Sequence, residues 1–308
     1  MDRTEISRSC IQDYARLLVT RHDPARAFAT WFGQDIIQHD PDIADGGKGD
    51  EEFLESRRAA DPEAYLPTTR YATIVHNIMA DGDLVALKSH VFTGHDDPGR
   101  VFVDIWRVAD GRFAEHWSAI EGISAPGAGA QPIWCGVGAS YAEAIAAGDT
   151  VSAPICGHPG DPAERSAALA TVRAYLDLLR EPGHIAEAVE RHVAPDFLEY
   201  SPRVRPGRQA LVEHLSAMAA RGERFEAARL LADGGLVLLH GHGRSPESKL
   251  GFSDMHLFRV AGGRIAAHWH VRQEIPPYSV AGHGMVGEPL EPGRRAGHPQ
   301  PLAAGHAQ

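Results

Sequence analysis

The chain has 308 residues, 43% of them hydrophobic and 23% charged, an ordinary globular mixture. A formal net charge of −11 excludes the basic face of a typical nucleic-acid binder and disfavours an anionic membrane surface. No run approaches the ~18 consecutive apolar residues of a spanning helix. The opening Met1-Asp2-Arg3-Thr4-Glu5 lacks the basic-then-apolar layout of a secretory signal, so a cytoplasmic location is expected. Three scattered cysteines (Cys10, Cys135, Cys156) form no CxxC pair, which predicts reduced thiols with neither a disulfide frame nor a thiolate zinc site.

In chain order, apolar periodicity predicts a helix over 11–32, a short polar segment with a proline, and a second helix over 50–60. Strand-like runs follow at 72–79, 84–92, 101–108 and 113–120. The stretch 126–160 is rich in Gly, Pro, Ala and Ser and reads as a linker, although Ile133, Trp134, Cys135 and Val137 suit packing against a domain. The order then repeats, with helices over 163–179 and 208–221 and strands over 225–231, 236–242, 254–260 and 265–271. The tail 289–308 reads as disordered. Helices followed by a meander of strands predict an α+β class, with helices on one face of an antiparallel sheet.

Self-comparison explains the repeated order. Residues 84–121 align without a gap on 236–273, an offset of 152, with 13 identities. Eight of them lie in WRVADGRFAEHW against FRVAGGRIAAHW. A fainter echo, QHDPDIADG (38–46) against EYSPRVRPG (199–207), runs at an offset of 161. So long a period indicates two copies of one domain rather than a solenoid. The expected domains are 1–125 and 161–288.

The last hairpin of each copy carries most of the ionisable groups. A three-residue loop around Gly111 would place Asp104 opposite His116, whereas a two-residue loop would place Asp104 opposite Trp117. With the first choice, Phe102, Asp104, Trp106, His116 and Ser118 share one face, and Phe113, Glu115, Trp117 and Ala119 the other. The same geometry in the second copy sets His256 against His268 and Asp254 against His270. His240 and His242 on the neighbouring strand would join them, as Lys88 and His90 would in the first copy. One surface of the second sheet would then gather five imidazoles. The helices would cap the ionisable faces, and the opposite faces would meet across a pseudo-twofold, making an intrachain pseudo-dimer that leaves room for a further homodimer.

The segments QHDPDIADG, GDLVALKSHVFTG, VDIWRVADGRFAEHW and VRQEIPPYSVAGHGM together resemble the SnoaL-like polyketide cyclase family of the nuclear transport factor two-like superfamily. The resemblance implies two tandem cone-shaped domains, each a curved antiparallel sheet with helices capping an apolar pocket. It also implies acid/base chemistry without a cofactor (aldol cyclisation, isomerisation or dehydration) on a small hydrophobic carbonyl compound. Many members read HWD where this chain has HWS and HWH, so the usual acid/base position is altered in both copies. The candidate catalytic residues are Asp104, His116, His90, His256 and His268. A carboxylate beside an imidazole can be tuned toward neutral pH, as abstraction of a proton α to a carbonyl requires. His39, Trp106, Tyr200 and Phe258 are the expected substrate contacts. Two alternatives stand beside this reading. One is a non-catalytic ligand-binding protein. The other is a divalent transition metal held by His240, His242, His256, His268 and His270 in the second domain, since clustered imidazoles suit zinc, iron, nickel or copper.

Overall fold

In a computed structural model of the chain, the described residues are 2–50, 52, 72–92, 98–123, 133, 140–146 and 148–287. The helix expected over 50–60 lies outside them except for Asp50 and Glu52, as do Trp134, Cys135, Val137 and the tail.

Helix α1 (Arg3–Ala15) starts at a capping box, in which the Asp2 side chain accepts from the Glu5 backbone and Glu5 reaches back. A π-helical turn, Arg16–Thr20, follows. Asp23 then caps α2 (Pro24–Trp31), with proline at its first position. The single helix expected over 11–32 is therefore broken at the Asp23–Pro24 start signal. Strands β1 (Phe32–Gln38), β2 (Ala72–Asp81), β3 (Leu84–Phe92), β4 (Arg100–Ala109) and β5 (Arg112–Gly122) complete the first half. The second half repeats the scheme: α4 (Arg165–Arg180) and α5 (Ile185–His192), then β6 (Val193–Glu199) and α6 (Arg208–Ala220). Strands β7 (Arg224–Asp233), β8 (Leu236–Ser245), β9 (Ser248–Ala261) and β10 (Arg264–Glu274) close it. A short helix α3 (Tyr141–Ala146) lies between the halves.

The two sheets have one topology, β1-β5-β4-β3-β2 and β6-β10-β9-β8-β7. Each is mixed rather than wholly antiparallel, because β1 runs parallel to β5 and β6 parallel to β10. Those two edge strands, half-exposed and without clean alternation, are the elements that sequence periodicity passes over.

Alternate side chains of each sheet face its helices or the other sheet. Toward α1 and α2 lie Val85, Leu87, Trp106 and Phe113. Toward α4 and α5 lie Val237, Leu239, Phe258 and Ile265. The remaining faces pack on each other through one shared core that includes Met79, Ile105, Trp117, Leu238, Leu257 and Trp269. Ile133 joins that core, so part of the linker does pack back.

Paired polar contacts fasten this contact. The Ala80 N–H donates to Asp233 Oδ2 and the Ala232 N–H to Asp81 Oδ2, both at 2.9 Å. Asp233 also binds Arg8 of α1, and Asp81 binds Arg165 of α4. A second pair joins the Ile120 N–H to Gln273 and the Arg272 N–H to Glu121, each at 2.8 Å. Ala80/Ala232, Asp81/Asp233, Ile120/Arg272 and Glu121/Gln273 are all related by the same offset of 152, so each half gives the other what it receives. Residues 275–287 extend back over the first half, where the Val280 N–H donates to Pro41 O at 2.9 Å and Tyr278 donates to Asp42 at 3.1 Å.

One expectation about the cysteines is corrected. Cys10 is a free, buried thiol, but Cys156 is disulfide-bonded.

Asp233 is buried and answers both an amide and a guanidinium across the interface. Asp233→Ala is expected to cost about 2–4 kcal/mol, because it leaves a buried N–H and an arginine without their acceptor. The urea midpoint should fall with m unchanged. A loss below about 0.5 kcal/mol would show that this clasp does not hold the halves together.

Candidate functional sites

The turns before β5 and β10 decide which side chains meet. Asp110 and Gly111 both have positive φ, 49° and 73°, and Ala109 pairs with Arg112 across a two-residue turn. A bulge at Ala114 then shifts the ladder, so Trp106 lies opposite His116 and Asp104 opposite Ser118. The three-residue loop with Asp104 opposite His116 is thus corrected, and Phe113 turns to the helix side. In the second half, Gly262 and Gly263 make the turn, and a bulge falls at Ala266. His256 is opposite His270 and Asp254 opposite Arg272, not His268 and His270 as expected. Ile265, like Phe113, moves to the helix side. The side chains nevertheless lean diagonally and make the anticipated contacts, because long groups reach a diagonal neighbour.

In the first half, His116 Nε2 lies 3.3 Å from Asp104 Oδ1 and His116 Nδ1 2.7 Å from Gln38 Oε1. Gln38 in turn donates through Nε2 to Asp50 Oδ2 at 2.6 Å. Ser118 donates to Asp40 Oδ2 at 2.8 Å. Trp106 stacks on the His116 ring, centroids 4.9 Å apart. Burial pushes Asp50 up to about 7, with the charges of Asp40 and Asp104 adding to the rise. Burial also raises Asp40, against its hydrogen bonds from the Asp42 amide and Ser118. For His116, burial favours the neutral ring, but the hydrogen bond and charge of Asp104 and the charges of Asp50 and Asp40 outweigh it and raise the pKa. The hydrogen bonds agree. With Gln38 oriented by its donation to Asp50, both His116 nitrogens face acceptors, as only an imidazolium satisfies. This is an acid/base centre of one imidazole among three carboxyl groups.

The second half answers with the opposite balance. His268 Nδ1 donates to the wholly buried Glu199 at 2.9 Å, and His256 Nδ1 lies 3.0 Å from His268 Nε2. His256 stacks on His270 at 4.1 Å. His270 Nε2 lies 3.0 Å from Asp254 Oδ1, and Arg272 grips the same carboxylate with Nε and Nη2 at 2.8 and 3.0 Å. Phe258 stacks on His268 as Trp106 does on His116. Burial holds His256 well below its ordinary value, with the Arg272 charge adding to the fall, and burial takes His270 down to about 3. Both rings are neutral at ordinary pH.

Several expected site residues lie elsewhere. His240 and His242 pair with Met255 and Ser253, one position out of step with His256, so they face the other sheet. His240 binds Ser253 Oγ at 3.1 Å, and His242 binds Leu250 O at 2.7 Å. The single surface of five imidazoles, and a metal site built from all five, are thereby corrected. His90 points the same wrong way from β3 and contacts Pro98 O at 3.2 Å, away from Asp104. His39 and Tyr200 stack on Trp117 and Trp269, at 5.1 and 4.9 Å, so they pack on the inter-sheet side rather than beside the two site rings.

Sequence reasoning missed Gln38, Asp40 and Asp50 in the first half, and Glu199 and Arg272 in the second. Gln38 and Glu199 begin the two echoed segments, at the ends of the unrecognised parallel strands. Their pairing with His116 and His268 follows only from that strand. No helix among the described residues is long and apolar enough to cross a membrane.

A SnoaL-like domain model matches residues 11–116 and again 172–268. No curated protein matches the chain. Among solved structures, it is similar to a candidate ketosteroid isomerase from Kribbella flavida, at 18% identity over 36% of this chain and 81% of that one, with a TM-score of 0.32. A limonene-epoxide-hydrolase-like enzyme from M. tuberculosis aligns at 21% identity over 36% and 85%, TM-score 0.29. A SnoaL-like polyketide cyclase from Agrobacterium tumefaciens aligns at 20% over 35% and 91%, TM-score 0.29. With more than half its length matched, in two separate copies, the chain belongs to the SnoaL-like domain family as a tandem pair.

Proposed function

We propose that the protein is a small-molecule enzyme that performs acid/base chemistry on a hydrophobic carbonyl compound at the centre in its first half. The observation that carries this is the network in which the partly buried Asp104 meets the buried His116, Gln38 and Asp50. Burying several ionisable groups is costly, and a carrier for an apolar ligand gains nothing from them. An enzyme gains a base, an acid and a field.

Asp104 is the proposed base. Its Oδ1 is engaged by His116, and among the described residues its Oδ2 carries no hydrogen bond. The α-proton of the substrate passes to Asp104 Oδ2 as the C–H electron pair becomes a C=C bond and the carbonyl π pair moves onto oxygen, giving an enolate. His116, as imidazolium, keeps Asp104 oriented and moderates the charge. The protonated Asp50 supports that arrangement through Gln38. Return of the proton from Asp104 to another carbon gives isomerisation, its return to the alkoxide formed by attack on a second carbonyl gives aldol cyclisation, and its delivery to a departing β-hydroxyl, which leaves as water, gives dehydration.

Two measurements test the reading. In deuterium oxide, the protein should catalyse α-proton exchange in one or more of a panel of hydrophobic ketones. Asp104→Asn should slow that exchange at least about tenfold with the circular dichroism unchanged. Undiminished exchange would remove Asp104 from the mechanism. The second concerns Asp50, whose carboxyl rises on folding from 3.8 to about 7. The folded protein then holds a proton that the unfolded chain releases, so this contribution is complete below about pH 4 and is lost as pH rises through about 7. Asp50→Asn should therefore gain in Tm relative to the parent between about pH 5 and about pH 8. A parallel pH dependence of the two proteins would contradict a neutral Asp50.

A further inference from the structure

The second half places a different set of donors on the same face of its sheet. Asp254 and His256 alternate on β9, and His270 on β10 lies directly opposite His256. One ligand atom from each residue lies within 4.8 Å of the other two. Two cis ligands about 2.1 Å from a cation sit about 3 Å apart, and His270 Nε2 and Asp254 Oδ1 are 3.0 Å apart. In the first half the same positions hold Phe102, Asp104 and Ser118, so the set belongs to the second copy alone.

We propose that Asp254, His256 and His270 hold a divalent first-row transition-metal cation. Two imidazoles and one carboxylate are the donor set of non-heme iron sites and also suit cobalt or zinc, whereas magnesium and calcium prefer oxygen donors throughout. The surroundings prepare His256 for the task. Glu199 accepts from His268 Nδ1, and a neutral His268 then offers Nε2 as an acceptor. Against that acceptor His256 carries its proton on Nδ1, which leaves its Nε2 lone pair unprotonated. This carboxylate–histidine–histidine chain is the outer support that fixes a ligand's tautomer.

Charge points the same way. Around the site stand four carboxylates (Asp254, Glu199, Glu121 and Glu223) and three guanidinium groups, Arg203, Arg221 and Arg272. As ionised groups they leave a net −1, which favours a cation. Arg272 holds the Asp254 carboxylate in place and is itself faced by Glu223 at 3.7 Å. The cation takes the place of the hydrogen bond between His270 and Asp254, and the neutral His270 ring ligates as the tautomer that carries its proton on Nδ1. Three protein ligands leave further positions for an oxygen donor, such as a hydroxyl or carbonyl oxygen of a substrate.

Untagged protein should be dialysed against Co2+ and assayed for bound metal and for ligand-field absorption. About one equivalent per chain is expected. Binding should weaken at least about tenfold in His256→Ala and in His270→Gln, and stay unchanged in His240→Ala, whose ring faces the other sheet. Thermal melts identify any variant that fails to fold, and His256→Gln, closer in volume, then takes the place of His256→Ala. Less than about a tenth of an equivalent in the parent, binding that survives in folded His256 and His270 variants, or equal loss in His240→Ala would each overturn the proposal.

Discussion

The packing of one sheet on the other governs the rest of the structure. A five-stranded sheet has two faces, and here each sheet gives one of them to its twin. Trp117 and Trp269 lie at the heart of that contact, with Ile105, Leu238 and Leu257 around them. Each remaining face is left to its own helices and to whatever ionisable groups its strands carry. Because side chains alternate along a strand, a residue's parity decides whether it packs or reacts. His240 and His256 illustrate the rule: both are histidines in the second sheet, but they lie on opposite faces.

Bulges reset that parity within a strand. At Ala114 and Ala266 an extra residue lets Phe113 and Ile265 share a face with Trp106 and Phe258, while His116 and His268 keep to it further along. An apolar wall and an ionisable group therefore meet on one surface. The aromatic ring stacked on each site histidine is the product of that shift.

From this common frame the two copies diverge at a handful of positions. Gln38 becomes Glu199, Asp40 becomes Ser201, Phe102 becomes Asp254, Asp104 becomes His256 and Ser118 becomes His270. In the first copy, carboxyl groups outnumber imidazoles and hold a proton among them. In the second, imidazoles outnumber the carboxylates they touch and are kept neutral by burial and by arginines. The same scaffold thus supports a proton-rich centre and a lone-pair-rich one, about as different as sites on related folds can be.

Much of this was legible in the sequence. The repeat, nearly every strand, the helix-covered faces and the tryptophans between the sheets follow from periodicity and self-comparison. Contacts such as Asp104 with His116, and His256 with His268, were also anticipated, but by way of a wrong turn type. A three-residue loop and a two-residue turn plus bulge put the same side chains on nearly the same face. The identity of the directly opposed residues differs, and only backbone dihedrals at Asp110 and Gly111 reveal it. The edge strands β1 and β6 hid because a half-exposed parallel strand lacks clean alternation. With them went Gln38 and Glu199, the partners that set the histidine tautomers. His240 and His242 were misplaced because spacing within a strand says nothing about its phase relative to a neighbour. The central claim, that these contacts fix opposite protonation in the two halves, is tested most directly by long-range 1H–15N correlation of the imidazole rings at about pH 6. The account predicts His116 with both nitrogens protonated and His256 neutral, with its proton on Nδ1. A neutral His116, or a His256 that is charged or protonated on Nε2, would contradict it.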